Sequence, residues 1–304
     1  QSFVKSALKV LLGLVFVVSA VLKLRDMDSF EIYIYSYHFF SHNFSFIVAR
    51  AAIIVELLLG IGLMSQCFPK LMWWGSMAML GAYTLLLMYA VVMGRTDNCH
   101  CFGDYLPFTP WQSLMKNLLL MVLFLLVYKT EGKHFKGQGW ASTSLVVVST
   151  LAVFVVSPPD KFSSGYNGVQ MLQTDHFETA LNEAPLDSLN LKEGKQVVCF
   201  FSTGCVYCQT AAYKFSLMQQ FYGFPSEAVT FVFMGSREGI ERFYEQSQSA
   251  RYRDVLYEDV HGLMTLTNGN FPVIVFMNNG QVVHEYGFRN MKEEEIEVFM
   301  TSDS

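Results

Sequence analysis

Two close pairs of cysteines are the side chains of this sequence best suited to chemistry. Cys205 and Cys208 are separated by two residues and stand where an apolar strand is predicted to turn into a helix, which is the spacing and context typical of thiol–disulfide exchange. Cys99 and Cys101 are separated by one residue and follow an apolar helix. Two dithiols on one chain predict an electron relay, in which a membrane part and a soluble part pass a disulfide between them.

Hydrophobicity and charge divide the chain into two parts in different surroundings. The sequence is 52% hydrophobic and 15% charged, with a mean hydropathy of +0.30, which is too apolar for an ordinary soluble protein. Residues 1–157 carry 11 Lys and Arg against 7 Asp and Glu, whereas the remaining residues carry 10 against 19. The acidic second part argues against a nucleic-acid partner, because phosphate binding requires clustered Lys and Arg.

Five stretches of the first part approach the ~20 apolar residues that a transmembrane helix needs. They are roughly residues 4–24, 44–64, 71–93, 111–128 and 140–157. No small-residue cleavage site follows the first stretch, so we interpret it as a span and not as a signal peptide. Short loops on one side carry Lys5, Lys9, Lys70, Lys129, Lys133 and Lys136, and those on the other side carry Lys23, Arg25 and Arg95. The positive-inside rule then predicts a cytoplasmic N-terminus and places both cysteine pairs on the opposite face, as a relay requires.

Ionisable residues within these spans are costly and are therefore functional candidates. Arg50 and Glu56 lie in the second predicted span and Lys116 in the fourth, with Arg50 and Lys116 toward the outer ends, near the Cys99 loop. We expect these three residues to contact a quinone or to deliver protons. For Glu56 the alternative is a protonated carboxyl group that hydrogen-bonds to a neighbouring helix. The aromatic segment 30–40 is expected to lie along the membrane interface as an anchor.

The single residue between Cys99 and Cys101 restricts the disulfide that they can form. An extended tripeptide places its outer α-carbons at or beyond the ~4.4–6.8 Å that a disulfide spans, so the bond requires a tight turn, which Gly103 allows. We expect such a bond to be easily reduced and to suit an electron acceptor on the way to a lipid-soluble oxidant. The alternative is a metal site formed by the two thiolates and His100, although structural zinc requires four ligands and no second cluster lies nearby.

Three residues of the predicted spans and one cysteine-containing string form a pattern that covers about residues 1–130. They are Ser19 and Lys23 in the first span, Glu56 within Val-Glu-Leu-Leu-Leu-Gly, and the Cys-His-Cys-Phe-Gly string that starts at Cys99. This pattern resembles the DoxX/MauE-type membrane proteins. The resemblance implies a four-helix bundle associated with quinone-linked redox chemistry or with disulfide formation in an exported enzyme subunit.

The combination of a bundle with a soluble dithiol is also similar in architecture to bacterial vitamin K epoxide reductase homologues. In those proteins a four-helix bundle is joined to a thioredoxin-like domain. This chain departs from them because it lacks a second pair of loop cysteines between its spans. Any shuttle of electrons to Cys99 and Cys101 must therefore come from the soluble part.

The second part is predicted to alternate strands and helices after a polar linker that ends near Gly168. Strands are expected at 196–201, 228–234, 255–258, 273–277 and 282–286. Helices are expected from the Cys205 turn to about 222, and at 238–249, 261–266 and 292–300. Over residues 169–304 this order, together with the motif at Cys205, resembles the thioredoxin fold of TlpA-type thiol–disulfide oxidoreductases.

Position within that fold implies the role of each residue. Cys205 opens a helix whose first amides favour a thiolate, so it is expected to be the exposed nucleophile, with Cys208 as the resolving thiol. Pro272 matches the cis-proline of the family, which lies against the active-site disulfide and presents backbone to a substrate. Cys199 stands where thioredoxins often hold a buried acid, which leaves proton handling open. Cys199 and Cys67 are both expected to be buried and inert.

The sequence thus predicts an α-helical membrane bundle of four helices plus a fifth linking span, followed by an α/β thioredoxin-like domain. The expected divisions are residues 1–130, 131–168 and 169–304. We expect a thiol oxidase in the lipid of the bacterial inner membrane that oxidises an exported thiol protein on the periplasmic side. Its electrons would pass through Cys99 and Cys101 to ubiquinone or menaquinone, with no metal involved. Two alternatives remain open: a reductive system fed by cytoplasmic thioredoxin, and a bundle that merely anchors a maturation factor.

Overall fold

A computed structural model describes residues 2–66, 68–104, 108–128, 138–158, 171–182 and 186–302 of the chain. Cys67 and the predicted linker up to Gly168 lie outside these residues, so their predicted states are not addressed. The chain divides into two compact units, Gln1–Pro158 and Pro159–Ser304, which are described separately.

Six helices and one short extended segment make up the described part of the first unit. They are α1 (Ser2–Arg25), α2 (Met27–Tyr35), α3 (His42–Ser65), α4 (Pro69–Val92), β1 (Cys101–Asp104), α5 (Pro110–Leu126) and α6 (Gln138–Val156). Four of these helices, α1, α3, α4 and α6, are long and apolar enough to cross a membrane. The fourth predicted span corresponds to α5, which has 17 residues and is about 25 Å long, slightly less than the hydrocarbon core of a bilayer.

Small residues bring α1 and α3 into backbone contact. A Cβ atom added to Gly60 would lie 2.8 Å from the carbonyl oxygen of Gly13, and one added to Gly13 would lie 2.6 Å from the oxygen of Gly60. Close approach of this kind is a common way for membrane helices to associate, because lipid provides no hydrophobic force between apolar helices. The two helices therefore form the tightly packed centre of the bundle.

Most aromatic side chains of α2 pack inside the first unit. Phe30, Tyr33 and Tyr35 are buried, and the hydroxyl groups of Tyr33 and Tyr37 are 2.5 Å apart. These rings therefore face protein and not lipid, while the place of the segment along the membrane interface stays a prediction. Only Phe39 and Phe40 at the end of the segment have exposed rings.

Helix α6, which corresponds to the predicted fifth span, packs against α3 and is part of the first unit. Val153 is buried in one cluster with Ala49 and Ile53. At the end of α6, the Arg50 guanidinium donates hydrogen bonds to the backbone oxygen and to the hydroxyl of Ser157, at 3.3 and 3.0 Å. These contacts attach the last turn of α6 to the side of α3.

The second unit is a five-stranded mixed sheet with helices on it. Its elements are α7 (Thr174–Ala180), β2 (Lys195–Ser202), α8 (Val206–Phe221), β3 (Val229–Met234), α9 (Arg237–Ser247), β4 (Arg253–Leu256), α10 (Val260–Leu266), β5 (Val273–Asn278), β6 (Gln281–Tyr286) and α11 (Glu293–Thr301). The strand order is β4-β3-β2-β5-β6. Strands β2, β3 and β4 are parallel, whereas β5 and β6 are antiparallel to their neighbours.

This sheet confirms the predicted thioredoxin-like domain and, with the helical unit before it, the predicted fold class. The central strand β2 is buried from Val197 to Phe201, as its continuous apolar run predicted. The edge strand β4 begins two residues earlier than predicted, because Arg253 pairs with Thr230 of β3 and its guanidinium donates a hydrogen bond to the Thr230 hydroxyl. The hydrophobicity of the sequence did not predict this start, because Arg253 and Asp254 are polar.

Candidate functional site

The Cys205–Cys208 pair lies at the junction of β2 and α8. β2 ends at Ser202 and α8 begins at Val206, so Cys205 is the residue that caps the helix N-terminus. Its Sγ accepts a hydrogen bond from the backbone N–H of Cys208 at 3.3 Å. Free N–H groups at a helix start favour a negative charge, so this position suits a thiolate. Cys208, one turn inside the helix, is fully buried.

The two thiols of this pair are unequal in acidity. The hydrogen bond from the Cys208 thiol, together with the backbone N–H groups of Cys208 and Tyr207, lowers the pKa of Cys205 to about 6, against the opposing effect of burial. Burial and the neighbouring Cys205 raise the pKa of Cys208. At neutral pH this arrangement provides one accessible thiolate beside one protonated thiol, which is what a nucleophile and its resolving partner require.

Pro272 lies at the end of the sheet from which the cysteine turn leaves. The Phe271–Pro272 peptide is cis, and Pro272 directly precedes β5. Because β5 pairs antiparallel with β2, with Val273 opposite Phe200, the start of β5 and the end of β2 lie at the same edge. The strand pairing therefore brings Pro272 to the side of the sheet that carries Cys205.

Apolar side chains are exposed next to Cys205. Val206 and Tyr207 are 69% and 55% exposed, and the Tyr207 ring lies 5.8 Å from the ring of Phe288. Burial of such side chains against a second chain is favourable. Cys205 is therefore bordered by exposed apolar surface.

Cys199 is fully buried in the middle of β2, as predicted. Burial raises its pKa well above the ordinary value, so it stays protonated at neutral pH. The position that often carries an acid in the resembling fold is thus occupied here by a neutral, enclosed thiol.

The Cys99–Cys101 pair is held in a tight turn between α4 and α5. The backbone N–H of Gly103 donates to the oxygen of His100 at 3.2 Å, and both residues have positive φ, at 63° and 49°. Gly103 also packs against the end of α1, because a Cβ atom there would clash with Asp26 Oδ2. The predicted turn is therefore present, and a glycine is required for both its conformation and its packing.

Contacts with α1 and α5 fix the two thiols of this pair. The Ser19 hydroxyl donates a hydrogen bond to the backbone oxygen of Cys101 at 2.8 Å, and Cys99 Sγ lies 2.7 Å from the hydroxyl of Ser113. The hydrogen bond from the Cys99 thiol, with the positive charges of Lys116 and Lys23, lowers the pKa of Cys101 to about 5 against the effect of burial. The same hydrogen bond and burial raise the pKa of Cys99.

Cys101 borders a small cavity inside the bundle. The cavity has a volume of about 30 Å³; its polar lining consists of Ser19, Lys23, Glu56, Tyr83, Cys101, Lys116 and Asn117, and its apolar lining of Val15, Phe16, Met79, Leu80 and Leu120. Lys23 Nζ lies 2.7 Å from Glu56 Oε2 and 3.5 Å from the Tyr83 hydroxyl. Since about 10–15 Å³ of such space is enough for one water molecule, the cavity has room for about two.

A quinone ring does not fit this cavity. Sites for small organic ligands usually have volumes of about 300–1,000 Å³, roughly tenfold more than the space beside Cys101. The lining also contains a carboxylate and two ammonium groups, which would lose hydration if an apolar ring replaced water beside them. The residues present therefore do not form a quinone site here.

The structure brings together two of the three ionisable residues predicted for the membrane site. Glu56 and Lys116 line the cavity with Cys101, whereas Arg50 does not. Arg50 instead forms an ion pair with Glu31, its Nη1 lying 3.0 Å from Oε2. It belongs to the polar cluster that joins α2, α3 and α6 and is not among the residues that line the cavity beside Cys101.

The sequence analysis missed Lys23 as a member of this site and counted it as a loop charge. The structure places it in α1 with its side chain 2% exposed, which is a correction to that count. Its signal was present: a lysine near the end of one apolar span and a glutamate within another can neutralise each other. Among the described residues, no group of three His, Cys, Asp or Glu side chains could hold a metal ion.

The chain is similar to known proteins over its helical unit and over almost its whole length. The family model described as methylamine utilisation protein MauE matches residues 1–129, which confirms the predicted resemblance of the helical unit. Protein TlpB of Flavobacterium psychrophilum is 23% identical over 342 residues, an alignment that covers 94% of this chain and 92% of that protein.

Two solved structures are similar to part of the chain, each at 19% identity. A thiol:disulfide interchange protein from Bacteroides sp. has a TM-score of 0.29, and the similarity covers 38% of this chain and 78% of that one. A secreted Mycobacterium tuberculosis disulfide oxidoreductase homologous to E. coli DsbE has a TM-score of 0.28, with 38% of this chain and 84% of that one covered. The fold of the second unit is established by its own strand order and by the cysteine pair at its β2–α8 junction.

Taken with the site geometry, these findings define the general class of the chain. A MauE-like helical unit with membrane-spanning helices precedes a thioredoxin-like unit with a Cys-x-x-Cys pair at a helix N-terminus. The chain is a membrane protein of the thiol–disulfide oxidoreductase type.

Proposed function

We propose that this protein forms disulfide bonds in exported proteins. The Cys205–Cys208 disulfide accepts two electrons and two protons from a client dithiol, whose sulfurs become joined. The resulting Cys205–Cys208 dithiol then reduces a Cys99–Cys101 disulfide in turn. The observation that supports thiol–disulfide exchange between the two pairs is that each unit presents one cysteine of low pKa beside one of high pKa, as Cys205 with Cys208 and Cys101 with Cys99.

The electrons that reach Cys99 and Cys101 need a further acceptor. For this acceptor we retain a quinone, ubiquinone or menaquinone, because a lipid-soluble oxidant suits a dithiol in a membrane unit. The cavity beside Cys101 does not fit a quinone ring, so we assign the quinone no place among the described residues.

The orientation that we propose puts both units' cysteines on the periplasmic side of a bacterial inner membrane. Lys9 and Lys23 are buried side chains of α1 and are therefore removed from the count of loop charges. The remaining loop cations still favour the side that carries Lys5, Lys70, Lys129, Lys133 and Lys136 over the side that carries Arg25 and Arg95. This bias supports a cytoplasmic location for the first group.

The test measures quinone reduction by full-length protein in nanodiscs that receives a reduced dithiol peptide. Quinone absorbance is followed for the wild type, Cys101→Ser, Cys205→Ser and the matched control Cys199→Ser. We expect reduction by the wild type and by the control, and loss of reduction in the other two variants. Quinone reduction that survives in Cys101→Ser would contradict the relay. Peptide oxidation without any quinone reduction would contradict the acceptor.

A further inference from the structure

The cavity beside Cys101 contains more positive than negative charge before the thiol is considered. Lys23 and Lys116 contribute two cations and Glu56 contributes one carboxylate, while Ser19, Tyr83 and Asn117 are neutral at pH 7. A thiolate on Cys101 would make the sum of these charges zero. In a site of low dielectric constant, a balanced set of charges is much less costly than one with an excess.

Lys23 cannot move away from Cys101 without breaking other contacts. Its ammonium group is held by the Glu56 carboxylate at 2.7 Å and lies 4.7 Å from the centre of the Tyr83 ring and 5.3 Å from that of Phe30. The loop is fixed to the same helix by the hydrogen bond from Ser19 to the Cys101 oxygen. Helix α1 therefore carries the Lys23 ammonium group and, through Ser19, also holds the backbone of Cys101.

We propose that Lys23 and Lys116 form a cationic site for the Cys101 thiolate, with Glu56 as the positioning residue for Lys23, and that this site makes the Cys99–Cys101 disulfide more oxidising. The inference rests on the proposed function only in that it explains how electrons move from Cys205 and Cys208 toward Cys99 and Cys101. The cavity serves to stabilise a charge and does not serve as a ligand pocket.

The physical reason is that the site acts on the reduced form alone. A disulfide carries no charge, whereas the reduced pair carries one thiolate, so nearby cations stabilise the product of reduction. A couple whose reduced form is stabilised is the stronger oxidant, and each tenfold change in the equilibrium constant corresponds to about 30 mV for two electrons. The carboxylate of Glu56 has the opposite effect on the thiolate, although it also holds Lys23 in place.

The test isolates this couple by replacing Cys67, Cys199, Cys205 and Cys208 with serine in the full-length protein. The protein is equilibrated at pH 7 with mixtures of reduced and oxidised dithiothreitol, and its thiols are trapped with a maleimide and counted by mass. In this exchange the S–S bond of Cys99 and Cys101 breaks and the cyclic disulfide of dithiothreitol forms. Of the two protons released, one binds Cys99 and one enters the buffer, since Cys101 remains a thiolate.

Charge-changing variants in this background give opposite expected shifts. Lys116→Met and Lys23→Met should each lower the equilibrium constant for reduction by about tenfold or more, or about 30 mV per tenfold change. Glu56→Gln should raise the equilibrium constant, because the glutamine side-chain oxygen can still accept the hydrogen bond from Lys23 Nζ while the negative charge of the carboxylate is removed. Lys23→Arg, which keeps the charge, and Lys9→Met, which removes a buried lysine of α1 that does not line the cavity, should stay near wild type.

The signs of these shifts separate the proposal from a structural role. Loss of bundle packing would move Lys116→Met and Glu56→Gln in the same direction, and this result would overturn the proposal, as would equilibrium constants that do not change. If Lys23→Met does not fold, Lys116→Met and Glu56→Gln still decide the outcome. The measurement uses neither client nor quinone. The expected redox shifts can therefore be found even if the oxidase assay fails, and the oxidase assay can give its expected result even if these shifts are absent.

Discussion

Lys23 Nζ and Glu56 Oε2 are 2.7 Å apart, and their side chains are 2% and 7% exposed, so that an ion pair joins α1 to α3 inside the bundle. A pair of this kind gains little net stability over apolar residues, because both charges lose their hydration. Removal of one partner is different, since the remaining charge stays buried without compensation. Replacement of one partner should therefore lower the stability of the protein more than replacement of both partners by apolar residues.

We expect Lys23→Met to destabilise the protein by about 3–5 kcal/mol, and Lys23→Met combined with Glu56→Leu to recover much of that loss. Thermal unfolding in detergent measures both effects, because about 1 kcal/mol corresponds to a Tm shift of about 2–4 °C for a protein of 150–250 residues. Arg95→Met, at a less buried ion pair, is a suitable comparison. A double variant as unstable as the single one would contradict this account.

The reactivity of Cys205 should follow a thiolate with a pKa of about 6. With Cys99 and Cys101 replaced by serine, the rate of alkylation should be half-maximal near pH 6 and should fall about tenfold for each pH unit below it, because only the thiolate reacts. Cys208→Ala removes the hydrogen bond that contributes most to the low pKa, so the midpoint should move to higher pH. A midpoint unaffected by Cys208→Ala would show that another group controls the acidity of Cys205.

Gly103→Ala should displace the cysteine turn from α1 and slow electron transfer to the membrane pair. The added Cβ atom meets Asp26 Oδ2, and the positive φ adds a backbone cost of about 1–2 kcal/mol. Gly94→Ala is a matched control, because Gly94 also has a positive φ, of 69°, but no atom within 4 Å of an added Cβ. The readout is the fraction of Cys99 and Cys101 oxidised during turnover. Equal effects of both variants would mean that strain alone, and not contact with α1, is responsible.

Gly60→Ala should destabilise the bundle by about 1–3 kcal/mol, because its Cβ atom would press on the backbone of α1 and could be accommodated only by moving a helix. Gly81→Ala in α4 provides the contrast. No atom lies within 4 Å of a Cβ there, so the better helix propensity of alanine should stabilise the protein by up to about 1 kcal/mol. Opposite shifts of Tm in the two variants are the expected result, and a shared direction would count against close packing of α1 on α3.

Hydrophobicity predicted the helices and strands of this protein well, because the length and the period of each apolar run can be read from neighbouring residues alone. The run from Val197 to Phe201 predicts a buried strand, and the position of Cys205 after it predicts the junction with α8. Pro272 could be placed because its chain position relative to the strands matched a known fold. The spans could be placed because each is apolar over almost its whole length.

Partners across the bundle could not be predicted from the sequence. A helix that is apolar on all sides carries no signal for its rotation, so the sequence showed opposite charges within the spans but not that Lys23 faces Glu56 or that Arg50 faces Glu31. The burial of Tyr33 and Tyr37 was missed for a different reason: their hydroxyl groups, four residues apart, pair with each other, and this depends on how the end of α2 folds. The two ion pairs, by contrast, join residues 33 and 19 positions apart in sequence.

The contact between Gly13 and Gly60 has a consequence for motion. Backbones that touch without intervening side chains leave no compressible layer, so α1 and α3 cannot slide along each other in small steps. The next register would require a shift of about one helical turn, or 5.4 Å, which would also separate Lys23 from Glu56. We therefore expect α1 and α3 to keep one register during turnover, so that any rearrangement on reduction occurs outside this pair of helices.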